Sequence, residues 1–448
     1  MRLPCTVRRG GLRFRLRKWY IFRMIYLQEE ESRKTTALLI GAPGDDLSEL
    51  KGLVDTLGME TLRAVTLTRM EITPAYGMGK GKAEELSALA EEIGADVIIF
   101  DFDLDPRKQR NWEKLSKKPS FDRQEVILRI FAQRAQTKEA VLQVELARLE
   151  HSLPRLAHSY GDMARQRGGN FGSKGSGETQ LELDTRAIRE KIRLVKKELS
   201  AVVRDRETQR KRREKVPVPT CALAGYTNAG KSSLLNALTG ADAFVEDKLF
   251  ATLDPTTRKL QLANGANILL TDTVGFISNL PHGLVNAFKS TLEEAERANL
   301  IIIVIDASDP DAESQYRTVV EVLKEIGAEN SPRIIALNKI DRIEEMDEAE
   351  RILVLSRLEN LFPENVKISA KNRTGFAELS EKICDALMGT GGKYVIPVEQ
   401  QHILSVARKT GIVESEEWLD DGIHATIRAG TSESGKKLSA MLGQYKAE

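Results

Sequence analysis

The chain has 448 residues, a length that suggests about three domains, and its 41% apolar content is enough to build their cores. A formal net charge of +1 excludes nucleic-acid binding through overall charge, so any such contact must rest on local clusters. Cys5, Cys221 and Cys384 lie too far apart for a disulfide framework or a zinc pattern, the five histidines give no metal spacing, and no apolar run approaches the ~18 residues of a spanning helix.

Residues 1–23 carry Arg2, Arg8, Arg9, Arg13, Arg15, Arg17, Lys18 and Arg23 and no acidic residue. Three readings stay open: a translation start placed too early, with Met24 the true beginning; a disordered basic arm; or a targeting segment that gives peripheral membrane association. Residues 1–34 stand apart as an extension. From 35 to 121 the pattern is a small α/β domain. Residues 37–40, 61–66 and 97–100 read as strands, Leu50, Leu53, Val54 and Leu57 mark one helix face, and 82–93 is a second helix. Strands that alternate with helices imply a parallel sheet. Gly77, Met78, Gly79, Lys80, Gly81 and Lys82 make a glycine–lysine turn opening the second helix. It is a tight connection with solvated lysines, a contact for RNA backbone, or a second nucleotide site.

Residues 122–216 read as a helical hairpin. Asp122 with Glu125 has the form of a capping box. Behind it Leu128, Phe131, Ala135, Leu142, Leu146, Leu149 and Leu153 recur at a spacing that predicts one long helix ending near Pro154. A second helix, beginning near Asp184, carries Ile188, Ile192, Val195, Leu199 and Val202 as a coiled-coil seam. The two stripes can bury only against each other or a neighbour, and an antiparallel hairpin is the simplest arrangement. Their connection, 161–177, holds six glycines together with Arg165, Arg167 and Lys174. It is either a floppy surface loop or a tip that enters crowded RNA, where phosphate contacts and stacking need little bulk. The run 204–215, with seven basic and three acidic residues, would follow RNA backbone beside it.

Pro217 and Pro219 precede a domain spanning 217–390. Gly225, Tyr226, Thr227, Asn228, Ala229, Gly230, Lys231 and Ser232 follow an apolar run, 221–224, and lead into the helical pattern Leu234, Leu235, Ala237 and Leu238. Strand, glycine turn and helix is the setting in which a G-x-x-x-x-G-K-[ST] match is credible. Backbone N–H groups there wrap a phosphate chain, Lys231 would reach the β- and γ-phosphates, and Ser232 would hold Mg²⁺. The base is chosen farther on. Asn338, Lys339, Ile340 and Asp341 close the apolar run 334–337. A carboxylate at that strand end accepts hydrogen bonds from guanine N1–H and its exocyclic amine, a donor pair that adenine lacks. The Asn338 amide suits guanine N7 and O6, and the Lys339 stem can lie along the base. Ser369, Ala370 and Lys371 follow Val366 and Ile368 and would offer amides to guanine O6. Asp272, Thr273, Val274 and Gly275 follow 268–270 and would supply a carboxylate on the Mg²⁺ side and a glycine that senses the γ-phosphate. Each short match is common alone; all of them, in order and each at a strand end, imply a GTPase. Residues 301–306 read as its central buried strand. The tail, 391–448, reads as a small α+β module: strands at 394–398, 412–418 and 423–429, helices at 400–409 and 435–442, and a hairpin turn at Asp420, Asp421 and Gly422.

With these residues in view, the chain resembles the HflX-type GTPases of the Obg–HflX superfamily, a class related to translation factors. Within the nucleotide domain the resemblance rests on Gly225 to Ser232, on Phe250, Ala251, Thr252, Leu253, Asp254, Pro255 and Thr256, and on Asp272 to Phe276. Outside it, 77–82, Arg134 and Ala135, 142–146, Leu153 to Arg155, and Gly177 to Thr179 also match, so that the resemblance covers about 35–390. It departs at 163–176, where a proline before the last glycine is common and Ser176 stands here. The resemblance implies an α/β protein: a Ras-like P-loop domain with a small N-terminal α/β domain, a long antiparallel helical hairpin and a small C-terminal α+β domain. It implies that Thr252 is the switch threonine, binding Mg²⁺ through its hydroxyl when the γ-phosphate is present. It further implies that 161–177 reaches the peptidyl-transferase region of the large ribosomal subunit, touching rRNA, in a cytoplasmic monomer with no stable membrane insertion.

Lys231, Thr252, Gly275 and Asn228 are the expected catalytic set, with GTP as substrate and Mg²⁺ as cofactor. Asn228 stands where some related GTPases bind K⁺ in place of an arginine finger; the alternative is that it ties down its own loop. Phe276 occupies the place of the water-orienting glutamine of Ras-like enzymes. A phenyl ring cannot hold water, so intrinsic hydrolysis should be slow, with 250–258 and 276–290 ordered by the ribosome. The expected role is a GTP switch that dissociates or rescues ribosomes. A ribosome-assembly or RNA-modification GTPase is the alternative, and residues 1–23 alone favour a GTP-gated scaffold at a membrane.

Overall fold

The structure, a computed structural model, describes residues 33–70, 75–157, 180–213, 218–240, 249–250, 252–262, 267–278, 289–389, 391–430 and 433–447. Residues 1–32, the loop 161–177 and Ala251 lie outside them. The chain divides into two compact units between Ile127 and Leu128.

The first unit runs β1 (Thr36–Gly41), α1 (Ser48–Thr56), β2 (Glu60–Thr66), α2 (Lys80–Glu92), β3 (Val97–Phe100), α3 (Pro106–Ser116) and β4 (Ser120–Asp122). Its strands form one parallel sheet in the order β2-β1-β3-β4. The α/β expectation holds, with one further helix and one further strand. Helix α3 shows almost no apolar period; it is held by Asp105, which accepts from the N–H groups of Arg107 and Lys108, and by the fully buried Trp112. Strand β4 is three residues long, too short to show an alternation. At the glycine–lysine turn Lys80 pairs with Glu84 and Lys82 with Glu85, ion pairs within one exposed helix that fit a solvated connection.

Helix α4 (Arg123–Arg134) starts at Asp122, whose carboxylate accepts the Glu125 N–H at 2.8 Å, as the capping-box reading requires. The single long helix expected behind it is instead two, α4 and α5 (Lys138–Ala157). The apolar period runs straight through the break, but local chemistry overrides it. Thr137 caps the new helix, its hydroxyl accepting the Ala140 N–H at 3.2 Å. The N–H groups of Gln136 and Thr137 turn away to a carboxylate distant in sequence, that of Asp254. Pro154 lies inside α5 rather than at its end; the N–H it lacks would have reached Glu150, whose surface is exposed. Helix α6 (Gln180–Arg213) lays Ile188, Ile192, Val195, Leu199 and Val202 against Leu142, Leu146 and Leu149 of α5, the two predicted stripes. Lys196 meets Glu150 and, ten residues later, Arg206 meets Glu139, eleven residues earlier, so the pair is antiparallel.

The nucleotide domain follows as β5 (Thr220–Gly225), α7 (Lys231–Thr239), β6 (Thr256–Gln261), β7 (Asn267–Asp272), α8 (Lys289–Glu296), β8 (Leu300–Asp306), α9 (Ala312–Glu325), β9 (Arg333–Asn338), α10 (Ile340–Glu344), α11 (Glu348–Leu361), β10 (Asn365–Lys367) and α12 (Phe376–Met388). The sheet order is β10-β9-β8-β5-β7-β6, parallel except for β6. Every residue of β8 is buried, the mark of a central parallel strand with helices on both faces. Leu223, Leu234, Leu270, Ile302, Val304, Ala336, Ile368 and Ile383 share its core. A large aliphatic side chain so placed contributes roughly 1.5–3 kcal/mol. That core fixes the carboxyl ends of β5, β7 and β9, where ligands bind in sheets of this kind.

The tail is β11 (Gly392–Ile396), α13 (His402–Thr410), β12 (Ile412–Leu419), β13 (Gly422–Arg428) and α14 (Glu433–Leu442), an antiparallel sheet in the order β11-β13-β12. Among the described residues no helix is long and apolar enough to cross a membrane, and no cluster of histidine, cysteine and carboxylate side chains could hold a metal.

Candidate guanine-nucleotide site

Strand β5 ends at Gly225 and α7 begins at Lys231, so 225–230 is a loop over a helix N-terminus. Gly230 has φ of 93°, and a Cβ there would lie 2.2 Å from Asn338 Nδ2; only glycine fits. Lys231 is buried and donates to the carbonyls of Gly225 at 3.0 Å and Tyr226 at 2.7 Å. Burial pushes its ammonium down to about 8, against the attraction of Asp272. Asp272, at the end of β7, is raised by the same burial, opposed by Lys231 and by hydrogen bonds from Ser232 and Thr252. A phosphate chain and a dication would reverse both effects.

Ser232 Oγ donates to Asp272 Oδ2 at 2.6 Å and lies 2.8 Å from Thr252 Oγ1. Among the described residues Asp272 Oδ1 is buried with no hydrogen-bond partner. Two hydroxyls separated by close to the ~3 Å edge of a Mg²⁺ octahedron, beside an unsatisfied carboxylate oxygen, are a donor set that fits Mg²⁺. The hydroxyl of Thr227, also buried, lacks a partner among the described residues too. Gly275 packs against this loop: a Cβ there would sit 2.9 Å from Thr227 Cα and 3.1 Å from Lys231 Nζ. Thr273 donates its hydroxyl to the Leu223 carbonyl at 2.7 Å and Val274 is buried, so 272–275 is anchored to β5. Phe276 is 2% exposed, and its main chain pairs with Thr227 and Gly225. Its ring is thus buried next to the main chain that carries the phosphate loop. Tyr226, expected at the nucleotide, uses its hydroxyl to accept the Ser278 N–H at 2.6 Å. Asn228 is exposed with φ of 60° and forms no side-chain hydrogen bond among the described residues, so it does not tie down its loop through its amide.

At the base end Asn338 is 2% exposed, its Nδ2 donating to the Ala229 carbonyl at 2.9 Å and its Oδ1 accepting the Ala370 N–H at 3.0 Å. The amide expected to face guanine is therefore engaged at both ends on main chain, and it clamps the phosphate loop to the Ser369–Lys371 loop. Lys339, at φ of 64°, holds Asp306 at 2.7 Å. Ile340 opens α10, and one turn of that helix presents the buried Asp341. Asp341 Oδ1 accepts from Ser369 Oγ at 2.5 Å, with Lys371 Nζ 3.8 Å from Oδ2. The carboxylate is thereby oriented, with oxygen lone pairs left for a base.

The segment carrying Thr252 departs from expectation. Of the described residues among 250–254, all assigned to the nucleotide, only Thr252 reaches the phosphate side, through Ser232. Phe250, buried at φ of 54°, packs on Phe131 with ring centroids 4.7 Å apart. Leu253 is buried as well. Asp254 accepts the N–H groups of Gln136 and Thr137, each at 3.1 Å, and the Thr137 hydroxyl. These side chains bind the helical arm. The expected catalytic residues Lys231, Thr252 and Gly275 do converge around Ser232 and Asp272. Asn338 as a clamp and Asp254 as an anchor escaped the sequence reading, since neither role leaves a local pattern.

Three family profiles match in order: one described as GTP-binding GTPase N-terminal over 44–132, one as GTP-binding GTPase Middle Region over 134–213, and one as 50S ribosome-binding GTPase over 220–339. The GTPase HflX of Caldanaerobacter subterraneus subsp. tengcongensis is 42% identical over 401 residues, spanning 89% of this chain and 91% of that protein. The GTPase HflX of Escherichia coli strain K12 is 40% identical over 380 residues, spanning 84% of this chain and 88% of its own. Among solved structures, a GTP-binding protein from Sulfolobus solfataricus, crystallised with GDP, is 26% identical over 79% of this chain and 98% of its own, with a TM-score of 0.42.

Proposed function

Since this chain belongs to the HflX family of GTPases, we propose that its hydrolysis of GTP controls binding to the large ribosomal subunit and the dissociation or rescue of ribosomes. The observation that carries the ribosomal part is the antiparallel α5–α6 arm beside the nucleotide domain. On α6, Arg186, Arg189, Lys191, Arg193, Lys196, Lys197 and Arg204 face solvent, against Glu190, Glu198 and Asp205. Such an excess of cations along a stiff rod suits an rRNA backbone. The profile over 220–339, described as that of a 50S ribosome-binding GTPase, supports the same partner. In this reading the loop 161–177 and the helical arm of 122–216 contact the subunit, 217–390 binds and hydrolyses GTP, and 35–121 and 391–448 are accessory modules.

The chemistry follows from the site. Asp341 selects guanine by accepting from N1–H and the amine. The loop 225–232 wraps the phosphates and Lys231 neutralises them. Ser232 and Thr252 would hold Mg²⁺ beside Asp272, and the ion would supply charge neutralisation to the phosphates. Phe276 is buried, so position 276 brings no glutamine to the attacking water. Hydrolysis is slow until the ribosome completes the site. K⁺ at the exposed Asn228 would supply the missing charge.

The decisive assay is GTP turnover by the full chain with and without purified large subunits, paired with GTP-dependent cosedimentation. Stimulation and cosedimentation are expected; no response to subunits, with binding to precursor particles or tRNA instead, would replace this reading by an assembly or RNA-modification role. Equal turnover in K⁺ and Na⁺ buffers would remove the monovalent cation.

A further inference from the structure

Thr252 is held between two neighbours of different kinds. On one side its hydroxyl lies 2.8 Å from Ser232 Oγ. On the other, Asp254 sits at the α4–α5 break, on the N–H groups of the two residues that precede Lys138, the first of α5. One carboxylate there takes two main-chain donors and the Thr137 hydroxyl, and the positive end of the helix favours its charge. Phe250 packs on Phe131 at the end of α4, so the segment grips both sides of the α4–α5 break. A second tie lies nearby. Arg206 of α6 pairs with Glu139 in the first turn of α5 at 3.2 Å and with Glu293 of α8 at 2.9 Å. All these residues belong to one compact unit.

The spacing decides what this arrangement does. Thr252 and Asp254 are two residues apart, a span of at most ~7 Å even when extended. The link is short, so a displacement of the start of α5 must move Thr252 or break the Asp254 contacts. We infer that Asp254 is a positioning residue through which the helical arm sets Thr252. Seated on Gln136 and Thr137, it keeps the Thr252 hydroxyl beside Ser232 and Asp272, ready for the Mg²⁺ of a nucleoside triphosphate. A diphosphate makes no such demand on Thr252. By linkage, whatever steadies the seated arm tightens triphosphate over diphosphate, and the triphosphate steadies the arm by the same factor. The inference concerns Thr252 and its ion alone, so it can fail or hold without reference to the ribosome.

The test uses the full chain with Asp254→Ala, Asp254→Asn and Thr137→Val, measuring affinity for GDP and for a non-hydrolysable GTP analogue, together with single-turnover hydrolysis. With Mg²⁺ present, Asp254→Ala should weaken analogue binding roughly tenfold, the scale of losing a charged helix cap, while GDP affinity stays within about twofold. Hydrolysis should slow in parallel. Asp254→Asn should fall between, because an amide oxygen still accepts. Thr137→Val should add little on top of Asp254→Ala. Chelating Mg²⁺ should erase the difference between the variants and the native chain, which a general loss of packing would not do. The unchanged GDP affinity reports that the domain is folded. Equal losses for both nucleotides, or a difference that survives chelation, would overturn the inference.

Discussion

Replacing Asn338 with alanine should weaken every guanine nucleotide by the same large factor. The side chain is 2% exposed and makes two buried hydrogen bonds, to the Ala229 carbonyl and the Ala370 N–H. Its removal leaves both main-chain groups without a partner, at about 1–3 kcal/mol each. Allowing for relaxation of the two loops, roughly 3 kcal/mol is a fair total, a little over a hundredfold in Kd. The phosphate loop and the Ser369–Lys371 loop serve GDP and GTP alike, so the loss should not discriminate between them. Stopped-flow dissociation of fluorescent GDP and of a fluorescent GTP analogue measures it directly. Asn338→Asp sharpens the test: it keeps the acceptor toward Ala370 but turns an anionic oxygen toward the Ala229 carbonyl, and it should be at least as damaging. A loss below about threefold, or one confined to a single nucleotide, would refute the clamp.

The buried Lys231 makes binding depend on pH. Its pKa near 8 in the free protein lies below the usual lysine range, and phosphates require the charged form. Affinity should therefore be level below pH 8 and fall as pH rises above it, approaching tenfold per unit, with proton uptake seen by calorimetry in buffers of different ionisation enthalpy. A flat profile through that range would contradict it. Asp341→Asn should cost GDP roughly a hundredfold, since an amide cannot accept both guanine donors, while xanthosine diphosphate gains because the amide donates to its C2 carbonyl; competition binding reads both. Phe276→Gln should not accelerate hydrolysis and should lower the melting temperature, because it buries an amide where a fully enclosed ring now sits.

Most of the nucleotide domain was legible because its signals are local. The full G-x-x-x-x-G-K-S spacing between an apolar run and a helical one marks the phosphate loop, and Asp341 announces itself by its place just after β9. The α5–α6 seam was equally clear, since its stripes recur over many turns. What stayed hidden depends on distant partners. Periodicity carried Leu128 to Leu153 as one helix because nothing near Gln136 shows that Asp254, more than a hundred positions away, will take its N–H. Asn338 looked like a base reader, because the contacts that occupy its amide come from Ala229 and Ala370. Helix α3 escaped notice because one tryptophan, rather than a repeating stripe, secures it.

Cys221 lies in β5 directly before the phosphate loop and Cys384 in α12, and both are buried in the same core. Burial pushes the Cys221 thiol up to about 12, so at neutral pH it is neither ionised nor reachable. An alkylating reagent can touch it only during moments when the sheet comes apart. In a chain with Cys5 replaced by serine, the modification rate thus becomes an intrinsic counter of how often the nucleotide domain breathes open. Bound guanosine phosphates should slow that counter by one plus the ratio of ligand concentration to Kd, which measures affinity with no label attached.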